Sequence, residues 1–187
     1  MARRPGVFNM NNWKEQIAIA WLVKQACMEL DKKNIFSYHL PNLAATEESI
    51  VLAEKKLGCR LDEKYRAFLQ HADGWPCFWH NVDLFGTNDL IEGVKKETGE
   101  FALSMLDEEV LTKSGVKRHE LLPIAATPVD KDLFVITKPS CRTPGSVLWF
   151  AGEEVERFKS FDDFFIAMTE YSRGDIQWFQ KQAKQEP

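Results

Sequence analysis

Apolar positions recur mainly at helical spacing in the first half of the chain and at strand spacing from Leu121. In "WKEQIAIAWLVKQACMEL", Trp13 to Leu30, they form two overlapping stripes. One is Trp13, Ile17, Ala20, Trp21 and Met28; the other is Ile19, Leu22, Val23, Ala26 and Leu30. Together they wrap more than half of a helical cylinder, whereas a surface helix needs one stripe. The spacing therefore predicts either deep burial against the domain or a second surface that meets another chain. Asn11 or Asn12 is placed to cap this helix. Pro41 then bars helix at His39–Leu40. Thr46 caps a second helix, with Ile50, Ala53, Glu54 and Leu57 on one side and Gly58 to end it. Asp62 caps a third, in which Tyr65, Phe68, Leu69 and Ala72 fall at i, i+3, i+4 and i+7. Gly74 stops that helix and leaves His71 in its last turn.

"NVDLFG" reads as a short strand closed by Gly86. Residues 88–118 are polar and partly helical around "EFALSMLDEEVL". From Leu121, the segments "LLPIAA", "DLFVIT", "SVLWFA" and "VERF" are short and rich in branched and aromatic residues. The turns between them, "TPVDK", "KPSCRTPG" and "GEE", are brief enough for an antiparallel meander. Ser160 caps "FDDFFIAMTEY", and "DIQWFQKQ" is expected to add a short terminal helix. The pattern predicts an α+β fold: N-terminal helices, a mainly antiparallel sheet of five to six strands, and a closing C-terminal helix. Residues 1–10 read as a loose arm. We divide the chain into an arm and helix over 1–34, packed on the domain, and a single domain over 35–187.

Composition changes this picture little. The 187 residues are 44% apolar and 28% charged, as in an ordinary globular protein, and long enough to bury a core. The net charge of −4 argues against direct nucleic-acid binding and favours a basic partner. Cys27, Cys59, Cys77 and Cys141 lie far apart, which fits reduced thiols. "MARRPGVF" is followed by no apolar run, so a signal peptide is not expected. No stretch approaches the ~18 apolar residues of a membrane span. A cytoplasmic location without membrane contact is the expectation.

Charge distribution is more informative. Between Leu90 and Val110, six acids (Glu92, Glu97, Glu100, Asp107, Glu108, Glu109) face two lysines, an excess equal to the net charge of the whole chain. Most such runs are solvated faces. This one is the leading electrostatic feature, joined by Glu153 and Glu154 on a hairpin turn.

The densest chemistry is "HADGWPCFWHNVDLFG", His71 to Gly86. Cys77-x-x-His80 has half of a zinc spacing, but no second ligand pair follows. There is no G-x-S-x-G elbow, no G-x-G-x-x-G and no G-x-x-x-x-G-K. Asp162–Asp163 suits the first turn of a helix rather than acid–base work. The motifs thus point to no catalytic residue, metal or cofactor. The stretch reads instead as a helix end, a turn and entry into the sheet, with Trp75 or Trp79 as a partner-facing aromatic.

"ATEESIVLAEKKLGCRLDEKYRAFLQHADGW", leading into "LFGTNDL", resembles the N-terminal signature of the SUKH superfamily, in its glucan-synthesis-regulator-like branch. Ile50, Glu54, Leu57, Gly58, Leu61, Tyr65, Phe68, Leu69 and Gly74 match, and "LLPIAAT", "DLFVIT" and "SVLWFAGEEVERFKSFDDFF" fit the C-terminal part. The likeness runs from about Ala45 to Tyr171. It departs from the pattern at Asp62, where a proline is usual, and at Asp73-Gly74-Trp75, where a second glycine is usual. The Trp13–Leu30 helix has no clear counterpart. The resemblance implies a non-enzymatic interaction protein. Many bacterial relatives are immunity proteins that bind and neutralise a cognate toxin domain, often a nuclease, and fungal relatives act in regulation. On that reading the partner-binding candidates are Trp75, Trp79, Glu97, Glu100, Asp107, Glu108, Glu109, Glu153 and Glu154. The alternative is a regulatory or scaffolding protein that acts through a housekeeping partner or through self-association of the Trp13–Leu30 helix.

Overall fold

A computed structural model describes residues 12–184, so the expected arm over 1–10 lies outside the described residues. The helices are α1 (Trp13–Leu30), α2 (Glu47–Leu57), α3 (Glu63–Leu69), α4 (Gly93–Ser104), α5 (Glu108–Lys113) and α6 (Phe161–Ala183). The strands are β1 (Trp75–Trp79), β2 (Val82–Leu84), β3 (Leu121–Ala126), β4 (Leu133–Thr137), β5 (Val147–Phe150) and β6 (Glu154–Phe158). The strands form one antiparallel sheet in chain order, β1 to β6. This is the α+β arrangement expected from the pattern.

The sequence-predicted caps are in place. Asn12 accepts from the Glu15 N–H, Thr46 from Ser49, Asp62 from Lys64 and Tyr65, and Ser160 from Asp163. Gly58 ends α2 at φ +68°, a conformation that costs a residue without Cβ little. Glu54 ties α2 to α3, its carboxylate accepting the Leu61 N–H at 3.0 Å and lying 3.7 Å from the Arg66 guanidinium. Tyr65 is fully buried and donates its hydroxyl to the Phe85 carbonyl at 2.7 Å.

Gly74 and Gly86 mark a close crossing of two backbones. A Cβ on Gly74 would stand 2.5 Å from the Gly86 nitrogen, and one on Gly86 2.3 Å from the Asp73 carbonyl oxygen. Asp73 fastens the crossing through the backbone and hydroxyl of Thr87.

One face of the sheet packs against α6, with α1 and α3 alongside. Trp13 of α1 reaches into this layer among Phe68, Phe161 and Phe165. The other face is covered by α4, which lies on β3. The direction of β6 side chains separates the faces: Glu156 accepts from Tyr171 of α6, while its neighbour Arg157 donates to the Ser114 carbonyl at the end of α5.

The segment around "EFALSMLDEEVL" is partly helical, as expected: it is shared by α4 and α5, which part where Asp107 takes the extended conformation (φ −67°, ψ 145°) that starts α5. Two expectations need correction. "DIQWFQKQ" is no separate helix, since α6 runs unbroken for 23 residues, held late in its course by buried Phe179 and by Asp175, bonded to His80. His71 lies just beyond α3, with its Nδ1 2.9 Å from the Ala67 carbonyl.

Candidate functional site

The acidic residues fall in two places: Glu97 and Glu100 on α4, and Asp107, Glu108 and Glu109 at the start of α5, which the β5–β6 turn with Glu153 and Glu154 approaches. Glu97, Glu100, Asp107, Glu108, Glu109 and Glu153 are exposed and Glu154 is half-buried. Three of the seven are engaged by cations of the chain itself. Glu100 pairs with Lys96 at 2.5 Å, Glu108 with Arg118 at 2.7 Å, and Glu154 with Arg157 at 2.8 Å. The Arg157 contact and the burial of Glu154 pull in opposite directions, and the carboxyl sits below its ordinary range. Glu97, Asp107, Glu109 and Glu153 have no ion pair among the described residues. Asp107 stands at the N-cap of α5 without using its side chain as a cap, so its carboxylate stays free. Asp107, Glu109 and Glu153, far apart in sequence, line one open cleft of about 330 Å³ together with Lys113.

Helix α4 carries an exposed apolar stripe that the sequence reading missed. Val94, Phe101 and Met105 are 75%, 67% and 67% exposed. At i, i+7 and i+11 they fall on one side of α4, with Glu97 next to them. Gly99 and Leu103 occupy the opposite, buried side. The i, i+7, i+11 spacing was visible in the sequence, but nothing there showed which side of the helix faces the sheet.

A second cleft, about 420 Å³, lies between α2 and α4 above β3. Its rim carries Lys56, Lys96, Arg118 and Lys138 against Asp89 and Glu100. Most of these cations are already occupied: Lys56 by Glu92, Lys96 by Glu100, and Arg118 by the Leu103 and Leu106 carbonyls and Glu108.

The two candidate tryptophans have different fates, and neither adjoins the acids. Trp75 is fully buried against Phe78 and Phe165 and donates its Nε1 to the His39 carbonyl at 2.7 Å. It therefore presents no surface to a partner, which corrects the expectation placed on it. Trp79 is half-buried and meets Trp149 edge-on at 5.3 Å and Tyr171 at 6.3 Å. These contacts lie on the α6 side of the sheet, away from α4 and α5.

The remaining polar residues of His71–Gly86 hold the β1–β2 hairpin. Asp83 accepts the Cys77 N–H at 2.7 Å, and His80 bonds Asp175 of α6 at 3.0 Å while stacking on Phe36. Lys24 of α1, itself buried, donates to the carbonyls of Cys77 and Phe78 at 2.5 and 3.2 Å. Burial is the main reason its pKa falls to about 8. Cys77 and His80 are thus drawn into separate structural contacts. No group of three or more histidine, cysteine or acidic side chains suited to a metal ion occurs among the described residues. Nor is any helix among them long and apolar enough to cross a membrane.

A comparison with curated proteins finds no match to this chain. The SMI1 / KNR4 family (SUKH-1) matches it over residues 44–167, a span that runs from the approach to α2 into α6 and includes the Glu54 tie, the Tyr65 hydroxyl bond and the Gly74–Gly86 crossing. With about two thirds of its length matched in this way, the chain belongs to the SMI1 / KNR4 family (SUKH-1).

Proposed function

We propose that the protein is a non-enzymatic, immunity-type binder that neutralises a cognate bacterial toxin domain by covering its active site. The supporting observation is the α4–α5 surface. Carboxylates without an ion pair among the described residues stand here with exposed apolar side chains: Glu97 one turn from Phe101 on α4, and Asp107, Glu109 and Glu153 around the cleft at α5. Such groups offer a partner apolar anchors together with negative charge. Its complement is a basic groove, as in a nuclease that holds phosphates, and the rim charges would speed encounter. Carboxylates repel nucleic acid itself, so the toxin domain rather than its substrate is the partner.

The test is affinity capture of the tagged protein from its own organism, followed by kinetics with the captured partner. A near-stoichiometric partner whose isolated domain kills cells, and is silenced by this protein, is the expected result. Asp107→Lys, Glu109→Lys and Glu153→Lys together should slow association and flatten its dependence on salt. Association that is unchanged in rate and salt dependence would remove this surface from the interface.

One observation favours a second reading, self-association through α1. Leu22 is 62% exposed on that helix, and half-exposed Ile35 and Trp178 flank a shallow groove where the ends of α1 and α6 meet. Deleting the helix would be a poor test, because Trp13 belongs to the core. Sedimentation of Leu22→Glu with Trp178→Glu is better: dissociation of an oligomer would favour this reading, and a monomeric parent protein would end it.

A further inference from the structure

The α6 side of the sheet carries a second surface that the toxin reading does not use. Trp149 of β5 and Tyr171 of α6 lie 5.8 Å apart and nearly perpendicular, and Trp79 of β1 completes the group. Tyr171 is 42% exposed, and both tryptophans are half-buried. Inner faces are already occupied, Trp149 stacking on Phe134 and Trp79 on His80. Two carboxylates border the rings. Asp132 accepts from Trp149 Nε1 at 2.7 Å, and Glu156 accepts from the Tyr171 hydroxyl at 2.6 Å. Glu156 is also the cross-strand partner of Trp149, which sets its side chain next to the ring.

Among the described residues, neither carboxylate has a lysine or arginine partner. Half-buried acids held only by neutral donors are poorly compensated. For Asp132, burial raises the carboxyl above its ordinary range, and the Trp149 hydrogen bond and the nearby His80 oppose this only in part. A cation placed here would gain from both acids and from the negative faces of the rings.

We propose that Trp79, Trp149, Tyr171, Asp132 and Glu156 form a receptor for an arginine side chain presented by a protein partner. The ring packing selects the cation. With centroids 5.3 to 6.3 Å apart the rings touch one another and leave no cage to surround a quaternary ammonium. The ligand must lie flat on the surface. A guanidinium does so, because it is planar, stacks on aromatic faces and offers paired donors to a carboxylate, whereas lysine brings a compact and strongly hydrated charge. The shallow surface buries too little of a free amino acid to hold it, so the arginine belongs to a protein whose further contacts supply the rest.

The test uses the whole chain and three short blocked peptides, glycine–X–glycine with X arginine, lysine or citrulline, followed through the indole Nε1–H signals in two-dimensional NMR. The arginine peptide should give a saturable shift of the Trp149 signal. The lysine peptide should bind several-fold more weakly, and uncharged citrulline should produce no saturable shift. Glu156→Gln, which keeps a hydrogen-bond acceptor for Tyr171, should weaken the arginine response about fivefold, the order expected for one charged contact. Asp107→Lys with Glu109→Lys and Glu153→Lys should leave it unchanged, which separates this proposal from the toxin reading. Absence of a saturable arginine shift, equal responses to arginine and citrulline, or an undiminished response in folded Glu156→Gln would each overturn the proposal.

Discussion

Gly99 lets α4 lie directly on the sheet. A Cβ at this position would stand 2.8 Å from Pro123 Cβ and 3.0 Å from Phe85 Cε2, and neither ring has room to retreat within the core. Replacing a helical glycine by alanine normally gains about 1 kcal/mol of helix propensity. Overpacking a filled contact costs about 1–3 kcal/mol, so the steric term should win. Gly99→Ala is therefore expected to lower stability in urea denaturation, whereas Gly174→Ala, with nothing within 4 Å of the new Cβ, should raise it. The same scale shows what a linear pattern conveys. Tyr65, Phe68 and Leu69 declare their burial by spacing, and all three are fully buried. Trp75 and Trp79 flank "PCF" and look alike in the sequence, but Cys77 at φ +48° breaks strand alternation between them. Alternation could not decide which tryptophan goes inside.

At the scale of elements, α4 and α5 carry exposed groups that add little to the fold. Phe101→Ala and Met105→Ala should each leave stability within about 0.5 kcal/mol, as exposed substitutions generally do. If α4 is the docking element, the pair should weaken partner binding tenfold or more, with most of the loss in the dissociation rate. Surface plasmon resonance beside a thermal melt separates the two effects, and unaltered dissociation would move the interface elsewhere. Here the sequence conveyed the acids but not their arrangement. Glu153 joins Asp107 and Glu109 only because the β5–β6 turn comes back to α5, a long-range contact with no local signature. Helix ends were legible where a side chain caps them, as at Thr46, Asp62 and Ser160. The start of α4 was not, since Glu92 makes no side-chain cap there. Nor could the sequence show that α6 runs past Tyr171, because what carries it on is tertiary, the Asp175–His80 bond and the burial of Phe179.

Across the whole molecule, the sheet curls. In a flat sheet, β1 and β5 would lie about 19 Å apart, four strand spacings. Trp79 and Trp149 touch, so the β1–β2 hairpin must fold over towards α6, with irregular register in β1 and β3. Lys24 and the His80–Asp175 pair hold it there. This junction shapes the pH dependence of stability. Lys24 titrates at about 8 in the folded chain, below its ordinary 10.5, so between these values the unfolded chain binds the extra proton and stability rises with pH. Cys27 beside it is pushed up to about 11 from 9.0, chiefly by burial, which contributes with the opposite sign from 9 upwards and offsets the lysine. Tyr38, raised by burial and by its bond to Asp31, adds to that later loss. Stability should thus climb from pH 8 to 9, by at most about 1.4 kcal/mol per unit from the lysine, and stop climbing beyond. Denaturation of the protein and of Lys24→Met across this range checks it: the climb should vanish in the variant, and a climb that persists would assign it to another group.

The sheet also sets the two outward surfaces back to back. Acids and apolar anchors sit beyond α4 and α5, and the aromatic group lies on the α6 side, with one layer of strands between them. On the two proposals above, a protein docked on one surface would not shadow the other, and the molecule would serve as a connector. Two bodies could be joined through it at once, and their occupancies should combine as independent events rather than compete.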